Sequence, residues 1–267
     1  MSLAVIAGYG ELPTIMVNSL GERKFIVIDL ESGRNASSFD KCYKYYAIGC
    51  LDISGITNIL AKESIKSCLL LGKVDKSILY KNRVNMRQDS IKILKSIDNW
   101  QDSTIMMMIV SILSKMNVRI EKQTDFLYSL LAEDIIYSKR TPTEKEFKDI
   151  KWGYQVAKEL SKMQIGQTVV IKNGVVLAVE AMEGTDEAIK RGGTLGGENC
   201  VIVKVARNNH DERFDVPAVG IDTLETMLKH NCTALAVEAN RTFIIKKEDM
   251  MEFVNKKNMV FMGYKEI

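Results

Sequence analysis

The sequence predicts an α/β protein in two parts, an N-terminal domain on a parallel sheet joined to a C-terminal α/β domain on a mixed sheet. Three observations predict it. Through the first half, short apolar runs at 3–7, 25–30 and 67–71 alternate with helical patterns at 11–20 and 53–63, which is the signature of parallel β-α-β units. In the second half, Asn173-Gly174 separates two β-rich runs, the strongest short-range sign of a hairpin and hence of an antiparallel pair. The 267 residues correspond to about two domains at roughly 150 residues each.

The elements follow in order. Leu12, Ile15, Met16, Ser19 and Leu20 give 11–20 a helical face. Further helices are expected at 91–97 and 103–116, the second rich in Met106, Met107, Met108 and Met116, read as adaptable core packing. The polar stretch 138–146 contains Pro142, one of three prolines in the chain, and reads as a linker between a domain at 1–137 and a domain at 147–267. Thr141 or Thr143 then caps a helix through 151–163. Strands follow at 168–171, 175–181 and 201–206. Gly192-Gly193-Thr194-Leu195-Gly196-Gly197 reads as a flexible loop, and Asp222 with Glu225 as a capping pair. Asn240-Arg241 suggests a second hairpin between 234–238 and 242–245. A helix at 247–255 and a strand at 259–262 close the chain.

Composition excludes several classes of function. Lys and Arg total 37 against 34 Asp and Glu, a net charge of +3, without the concentrated basic charge of a nucleic-acid binder. Five cysteines form no C-x-x-C pair, and there are two histidines, His210 and His230, which argues against a zinc site or a disulfide scaffold. No apolar run approaches the roughly 20 residues of a membrane span, and the N-terminus lacks the basic region of a signal peptide. A soluble, cytoplasmic protein is expected, peripheral at most to a membrane surface.

Chemistry is suggested at three places. Gly8-Tyr9-Gly10 follows the first strand and opens a helix, where glycines and free N–H groups suit a phosphate. Asp29 ends the second strand, as the ribose-binding acid of a dinucleotide fold does, but Pro13 stands where the third glycine of that fingerprint belongs. A nicotinamide oxidoreductase is therefore disfavoured, and the loop is either a nucleotide- or sugar-contacting loop or a structural turn. Gly72-Lys73 follows the third strand, where Lys73 is either a phosphate or carboxylate contact or a solvated lysine. The densest cluster is Glu180, Glu183-Gly184-Thr185-Asp186, Lys204 and Asp211 to Gly220. Carboxylates converging with lysine and arginine suit magnesium with phosphate, or else are surface charges and helix caps. Leu177-Ala178-Val179-Glu180-Ala181 recurs as Leu235-Ala236-Val237-Glu238-Ala239, either two strands packed alike or two strands delivering Glu180 and Glu238 to one site. No Gly-x-Ser-x-Gly, His-Glu-x-x-His or Walker motif occurs.

Ile6-Ala7-Gly8-Tyr9-Gly10-Glu11-Leu12-Pro13, Ile165 to Val170, Glu183-Gly184-Thr185-Asp186, Val203 to Ala206 and Arg213-Phe214-Asp215-Val216-Pro217-Ala218-Val219-Gly220 together resemble the LpxI-type UDP-2,3-diacylglucosamine pyrophosphatases, in order along nearly the whole chain. The resemblance implies a Rossmann-like N-terminal domain joined to a C-terminal α/β domain with the substrate between them, and a tendency to form homodimers. It implies cleavage of UDP-2,3-diacylglucosamine to 2,3-diacylglucosamine 1-phosphate (lipid X) and UMP in lipid A synthesis of Gram-negative bacteria. A divalent cation, Mg2+ or Mn2+, and water attack on the α phosphorus come with it, as does an essential aspartate that carries onto Asp215. On that reading Asp215 holds the metal or orients water, with Asp186 and Glu183 next to metal or water. Thr185, Lys204 and Arg213 meet phosphates, and Gly8, Gly10 and Gly72 admit the substrate to the backbone; Lys73 is a substrate contact by its place after the third strand, since the family often carries other basic residues beside that glycine. No nucleic-acid partner is expected, and contact with the inner membrane is peripheral at most. Trp100-Gln101-Asp102-Ser103 departs from a Gly-Asp-Asp-like segment common in the family. The rival reading is a non-catalytic nucleotide-sugar or glycolipid binding protein on the same scaffold.

Overall fold

The computed structural model describes residues 2–31, 36–49, 52–74 and 102–266, and the backbone alone at 102–103. The expected helix at 91–97 and the Trp100-Gln101 part of the departing segment lie outside the described residues. Two compact units emerge, Met1–Leu127 with Glu212–Phe214, and Tyr128–Asp211 with Asp215–Ile267. The stretch 138–146 lies inside the second unit, where the Ser138 hydroxyl accepts from Phe261 N–H at 3.0 Å.

The first unit holds a five-stranded parallel sheet in the order β3-β2-β1-β4-β5. Its strands are β1 (Leu3–Ala7), β2 (Phe25–Asp29), β3 (Lys44–Ala47), β4 (Ser67–Leu71) and β5 (Arg119–Ile120). β1 and β2 are buried along their whole length, as strands of a parallel sheet covered on both faces must be. Among the described residues, helices α1 (Leu12–Ser19), α2 (Ile53–Lys62), α3 (Asp102–Lys115) and the short α4 (Thr124–Leu127) accompany it. Pro13 sits in the first turn of α1, where its missing N–H costs nothing. One core gathers Ile6, Ile28 and Leu70 from the sheet with Leu60, Leu113 and, from the distant segment, Phe214. β3 escaped the sequence reading because it is half-exposed and polar at its start. The Glu63 carboxylate fastens it by accepting from Lys44 at 2.8 Å and Tyr46 at 2.6 Å.

The second unit is built on a mixed sheet in the order β12-β10-β8-β6-β7, of β6 (Thr168–Lys172), β7 (Val175–Val179), β8 (Cys200–Lys204), β10 (Cys232–Glu238) and β12 (Val260–Tyr264). β8, β10 and β12 are parallel, and β6 is antiparallel to both β7 and β8. Asn173 and Gly174 both take positive φ, 51° and 77°, the geometry of the expected type I′ turn. Helix α5 (Glu144–Lys162) covers one face with Ile150, Tyr154 and Ala157. Helices α6 (Thr185–Gly196), α7 (Ile221–Lys229) and α8 (Lys247–Lys256) line the other, whose core includes Ile189, Leu224 and Val254.

Three expectations here need correction. The glycines at 192, 193 and 196 are not a loop but the last turns of α6. A Cβ at Gly192 would lie 2.5 Å from Val170 and one at Gly193 2.3 Å from the His230 carbonyl, so they let the helix lie directly on its neighbours despite their poor helix propensity. Asp222 is not a cap: α7 is entered from Gly220 with no side-chain cap, and Asp222 stands in its first turn. Asn240-Arg241 makes no hairpin. β10 pairs with parallel strands on both sides, and β11 (Phe243–Ile244) joins β9 (Ala218–Val219) in a separate parallel ribbon. Among the described residues no helix is long and apolar enough to cross a membrane.

The entry to α5 yields a stability prediction. Thr143 caps it through a full capping box with Glu146, whose carboxylate also accepts from Arg140 at 2.6 Å. Burial pushes the Glu146 carboxyl up, but Arg140 and the Thr143 backbone and hydroxyl donors outweigh it and hold the group below 4.5. A carboxyl depressed in the folded state stabilises above its unfolded pKa, and that contribution disappears as pH falls through the lower folded value. Glu146→Gln should therefore unfold more easily than wild type in urea at about pH 7, by about 2 kcal/mol. The difference should shrink as pH falls through the depressed folded-state value, below which the carboxyl is protonated and, like glutamine, uncharged.

Candidate functional site

In sheets of parallel strands, ligands gather beyond the carboxyl ends of the strands. In the first unit this edge carries Gly8, Gly10, Gly72 and Lys73, at the point between β1 and β4 where the strand order reverses. The two loops bind each other there. Tyr9 N–H donates to Lys73 O at 2.6 Å, and Lys73 N–H to Tyr9 O at 2.9 Å. A Cβ on Gly8 would lie 2.4 Å from Lys73 O, and one on Gly72 2.6 Å from Tyr9 O. The close neighbour that requires glycine at these two positions is thus the opposite loop. Gly10 differs, with φ of +102° and open space beside it. Asp29 is buried and accepts from Tyr45 Oη at 2.8 Å and from Glu31 N–H at 3.1 Å, so its carboxylate orders the turn after β2.

In the second unit the same edge is richer. β7 leads into Glu180, β8 ends on Lys204 and β10 ends on Glu238. Side chains alternate along a strand. Ile202 packs in the core beneath α6, and Val201 and Val203 in the core beneath α5, so Lys204 is delivered to the α6 face. Its Nζ donates to Thr185 Oγ1 at 2.9 Å, and Thr185 Oγ1 donates to Glu180 Oε1 at 2.8 Å. Gln167 N–H donates to Glu180 Oε2 at 3.3 Å. Thr168 stands opposite Lys204 in the β6–β8 register, and its buried hydroxyl, like the buried Gln167 Oε1, has no hydrogen-bond partner. The cluster abuts the N-terminus of α6, entered through Gly184 at φ +88° with no side-chain cap. An uncapped helix start beside a lysine and hydroxyls offers the kind of donors and positive charge that suit an anion.

Asp215 lies on the loop that leaves β8. Its backbone N–H donates to Asp211 O at 2.7 Å, and its carboxylate lies 3.6 Å from the Arg207 guanidinium, both side chains about one-fifth exposed. Downstream the chain is anchored where Phe243 N–H donates to Pro217 O at 2.8 Å and β9 pairs with β11. Arg213 belongs with the first unit, its guanidinium 5.6 Å from the centre of the Phe214 ring.

The remaining expected residues separate. Asp186 is exposed in the first turn of α6, beside Glu187. Glu183 pairs with Arg191 at 2.6 Å, and Arg191 also donates to Val179 O. Burial pushes the Glu183 carboxyl up, yet backbone N–H donors and Arg191 outweigh it and hold it below the usual range. Among the described residues no group of three or more His, Cys, Asp or Glu side chains is placed to hold a metal ion. Glu180 and Glu238 share an edge but not a face. Glu180 joins Thr185 on the α6 side, and Glu238 accepts from Tyr154 Oη at 3.1 Å on the α5 side, so the echoed strands do not bring their acids to one point. The sequence reading passed over Arg207, Lys158, Tyr154 and Arg241. Their one visible sign was a charged residue, Glu238, closing an otherwise apolar strand.

The LpxI N-terminal domain family matches residues 2–130, and the LpxI C-terminal domain family matches residues 133–262. The chain is also similar to the UDP-2,3-diacylglucosamine pyrophosphatase LpxI of Caulobacter vibrioides, 24% identical over 274 residues that cover 98% of this chain and 96% of that protein. With both domain families accounting for nearly its whole length in the right order, the chain belongs to the LpxI family.

Proposed function

We propose that this protein hydrolyses the diphosphate of UDP-2,3-diacylglucosamine, yielding 2,3-diacylglucosamine 1-phosphate and UMP, as a step in lipid A synthesis of a Gram-negative cell. The observation that carries the reading is the end-to-end match of both halves to LpxI domains. The second unit supplies groups that suit it: Lys204, hydrogen-bonded to Thr185, ends β8, and Asp215 lies on the loop that leaves the same strand.

Diphosphate hydrolysis needs charge neutralised and water placed in line, with no covalent nucleophile on the protein. In our reading the Lys204 ammonium, the Thr185 hydroxyl and the α6 N-terminus take up phosphoryl oxygens, and the unpartnered Thr168 hydroxyl is a further donor on that face. Asp215, aligned by Arg207, orients the water that attacks the α phosphorus. The proton of that water passes to the Asp215 carboxylate, and the lipid-linked phosphate departs as the leaving group.

A divalent cation fits this donor set in one way only. Magnesium commonly binds through one or two carboxylates and takes its other oxygens from water and phosphate, so Asp215 alone suffices on the protein side. Glu183 is the poorer candidate, since Arg191 holds its carboxylate at 2.6 Å, whereas Arg207 stands 3.6 Å from that of Asp215. When bound, such an ion would neutralise charge on the phosphoryl oxygens.

The test is direct. Purified protein incubated with UDP-2,3-diacylglucosamine should release UMP and lipid X, with a rate that rises on Mg2+ or Mn2+ titration and falls on chelation. Tight substrate binding with no turnover under any metal condition would favour the non-catalytic binding protein and defeat the proposal.

A further inference from the structure

A buried ionic network on the α5 face meets the loop that carries Asp215. Glu238 is 4% exposed. Its carboxylate accepts from Lys158 Nζ at 3.0 Å, from Tyr154 Oη at 3.1 Å and from the backbone N–H of Ala206 at 2.8 Å. Lys158 Nζ also donates to Ala206 O at 2.9 Å, so both polar backbone atoms of Ala206 are held by this one ion pair. Burial pushes the Lys158 amine down while Glu238 pulls it up, as expected of a partly buried pair. Arg241 lies 3.6 Å from Glu238 and reaches further along the same loop. It donates to the carbonyls of Arg207 at 3.1 Å and Asn208 at 2.8 Å, and to His210 Nδ1 at 3.2 Å. Residues 206–210 are therefore pinned by three elements, α5, the end of β10 and the turn after it. One residue of that stretch, Arg207, is the one beside the Asp215 carboxylate.

We propose that Glu238 and Arg241 are positioning residues for diphosphate hydrolysis: they fix the 206–210 backbone so that Arg207 holds Asp215 in its working orientation. This inference rests on the reading of Asp215 given above. It explains why a buried carboxylate is met by a partly buried amine and guanidinium at the end of a largely apolar strand. A hydrophobic trio would pack there without the desolvation cost, but it would offer nothing to the backbone N–H and carbonyls of the loop.

Steady-state kinetics of UMP release test it, with Glu238→Gln and Arg241→Lys measured singly and in an Arg207→Lys background. Glu238→Gln keeps the shape but leaves Lys158 and Arg241 without a counter-charge. Arg241→Lys keeps the charge but loses the forked donors to two carbonyls. Each should lower kcat by roughly tenfold or more while KM stays within about threefold, because misplacing a catalytic group by a fraction of an ångström acts on the transition state. Once Arg207 is changed, either substitution should cost less than about twofold more, the non-additivity of residues acting through one another.

Fully additive losses, or kcat unchanged, would overturn the inference. So would a rise in KM alone, which would make Glu238 and Arg241 part of a ligand-binding wall, since a cavity of about 490 Å3 opens beside them. If Glu238→Gln does not fold, Arg241→Lys, on a side chain 30% exposed, carries the test alone. An inactive wild type would instead defeat the hydrolase reading itself, so the two failures are distinguishable.

Discussion

Replacing Asp215 with asparagine should lower UMP release by about a thousandfold or more, the scale of losing a charge that acts on the transition state. The asparagine keeps the size of the side chain and leaves its backbone N–H on Asp211 O undisturbed. It removes one partly exposed ion pair with Arg207, worth about 1 kcal/mol or less. A variant that melts within a few degrees of wild type while losing turnover would place the loss in the chemistry and not in folding. Calorimetry and single-turnover UMP release on the same preparation check both halves of the statement. An active Asp215→Asn protein would remove the aspartate from the chemistry.

The second large effect is expected at Lys204. It is 8% exposed at the end of an otherwise apolar strand, with Thr185 Oγ1 at 2.9 Å. Methionine retains its unbranched stem and packs in the same space, while the charge offered to a phosphate is lost. Lys204→Met should lower kcat/KM by about a hundredfold, or close to 3 kcal/mol of transition-state stabilisation. Thr185 still has Glu180 as a partner, so the α6 N-terminus should survive, which circular dichroism and thermal unfolding would verify. A loss confined to stability, with kcat/KM intact, would make Lys204 a purely structural partner of Thr185.

Much of this architecture could be read before any coordinates. Apolar runs at 3–7 and 67–71 became β1 and β4 without change of boundary, because a strand buried on both faces leaves an uninterrupted hydrophobic signature. The Asn173-Gly174 turn was equally legible, since two successive positive φ angles demand those residues. Edges were not legible. β3 is half-exposed and mixes lysine with tyrosine, so its strand character comes from pairing with β2 and not from its own pattern. Glycines misled in the opposite direction. The run at 192–197 carries the composition of a loop, yet three of its glycines are needed where α6 touches Val170, His230 and Cys200, a tertiary requirement that overrides propensity.

At the candidate site, Thr185 and Lys204 were found singly, but their contact depends on the β8 register and on the entry angle of α6. Glu183 and Asp186 looked equivalent in sequence. The fold separates them by pairing one with Arg191 and leaving the other exposed on α6. Arg207 and Arg241 carried no pattern at all, because Arg241 holds loop backbone brought near the end of β10 and Arg207 faces Asp215, eight residues further along the same loop.

Hydrolysis in water enriched with oxygen-18 tests the central claim most directly, with the products separated and weighed by mass spectrometry. Attack on the α phosphorus predicts one heavy oxygen in UMP and none in the diacylglucosamine 1-phosphate. A label found in the lipid product, or no cleavage with metal supplied, would contradict the account.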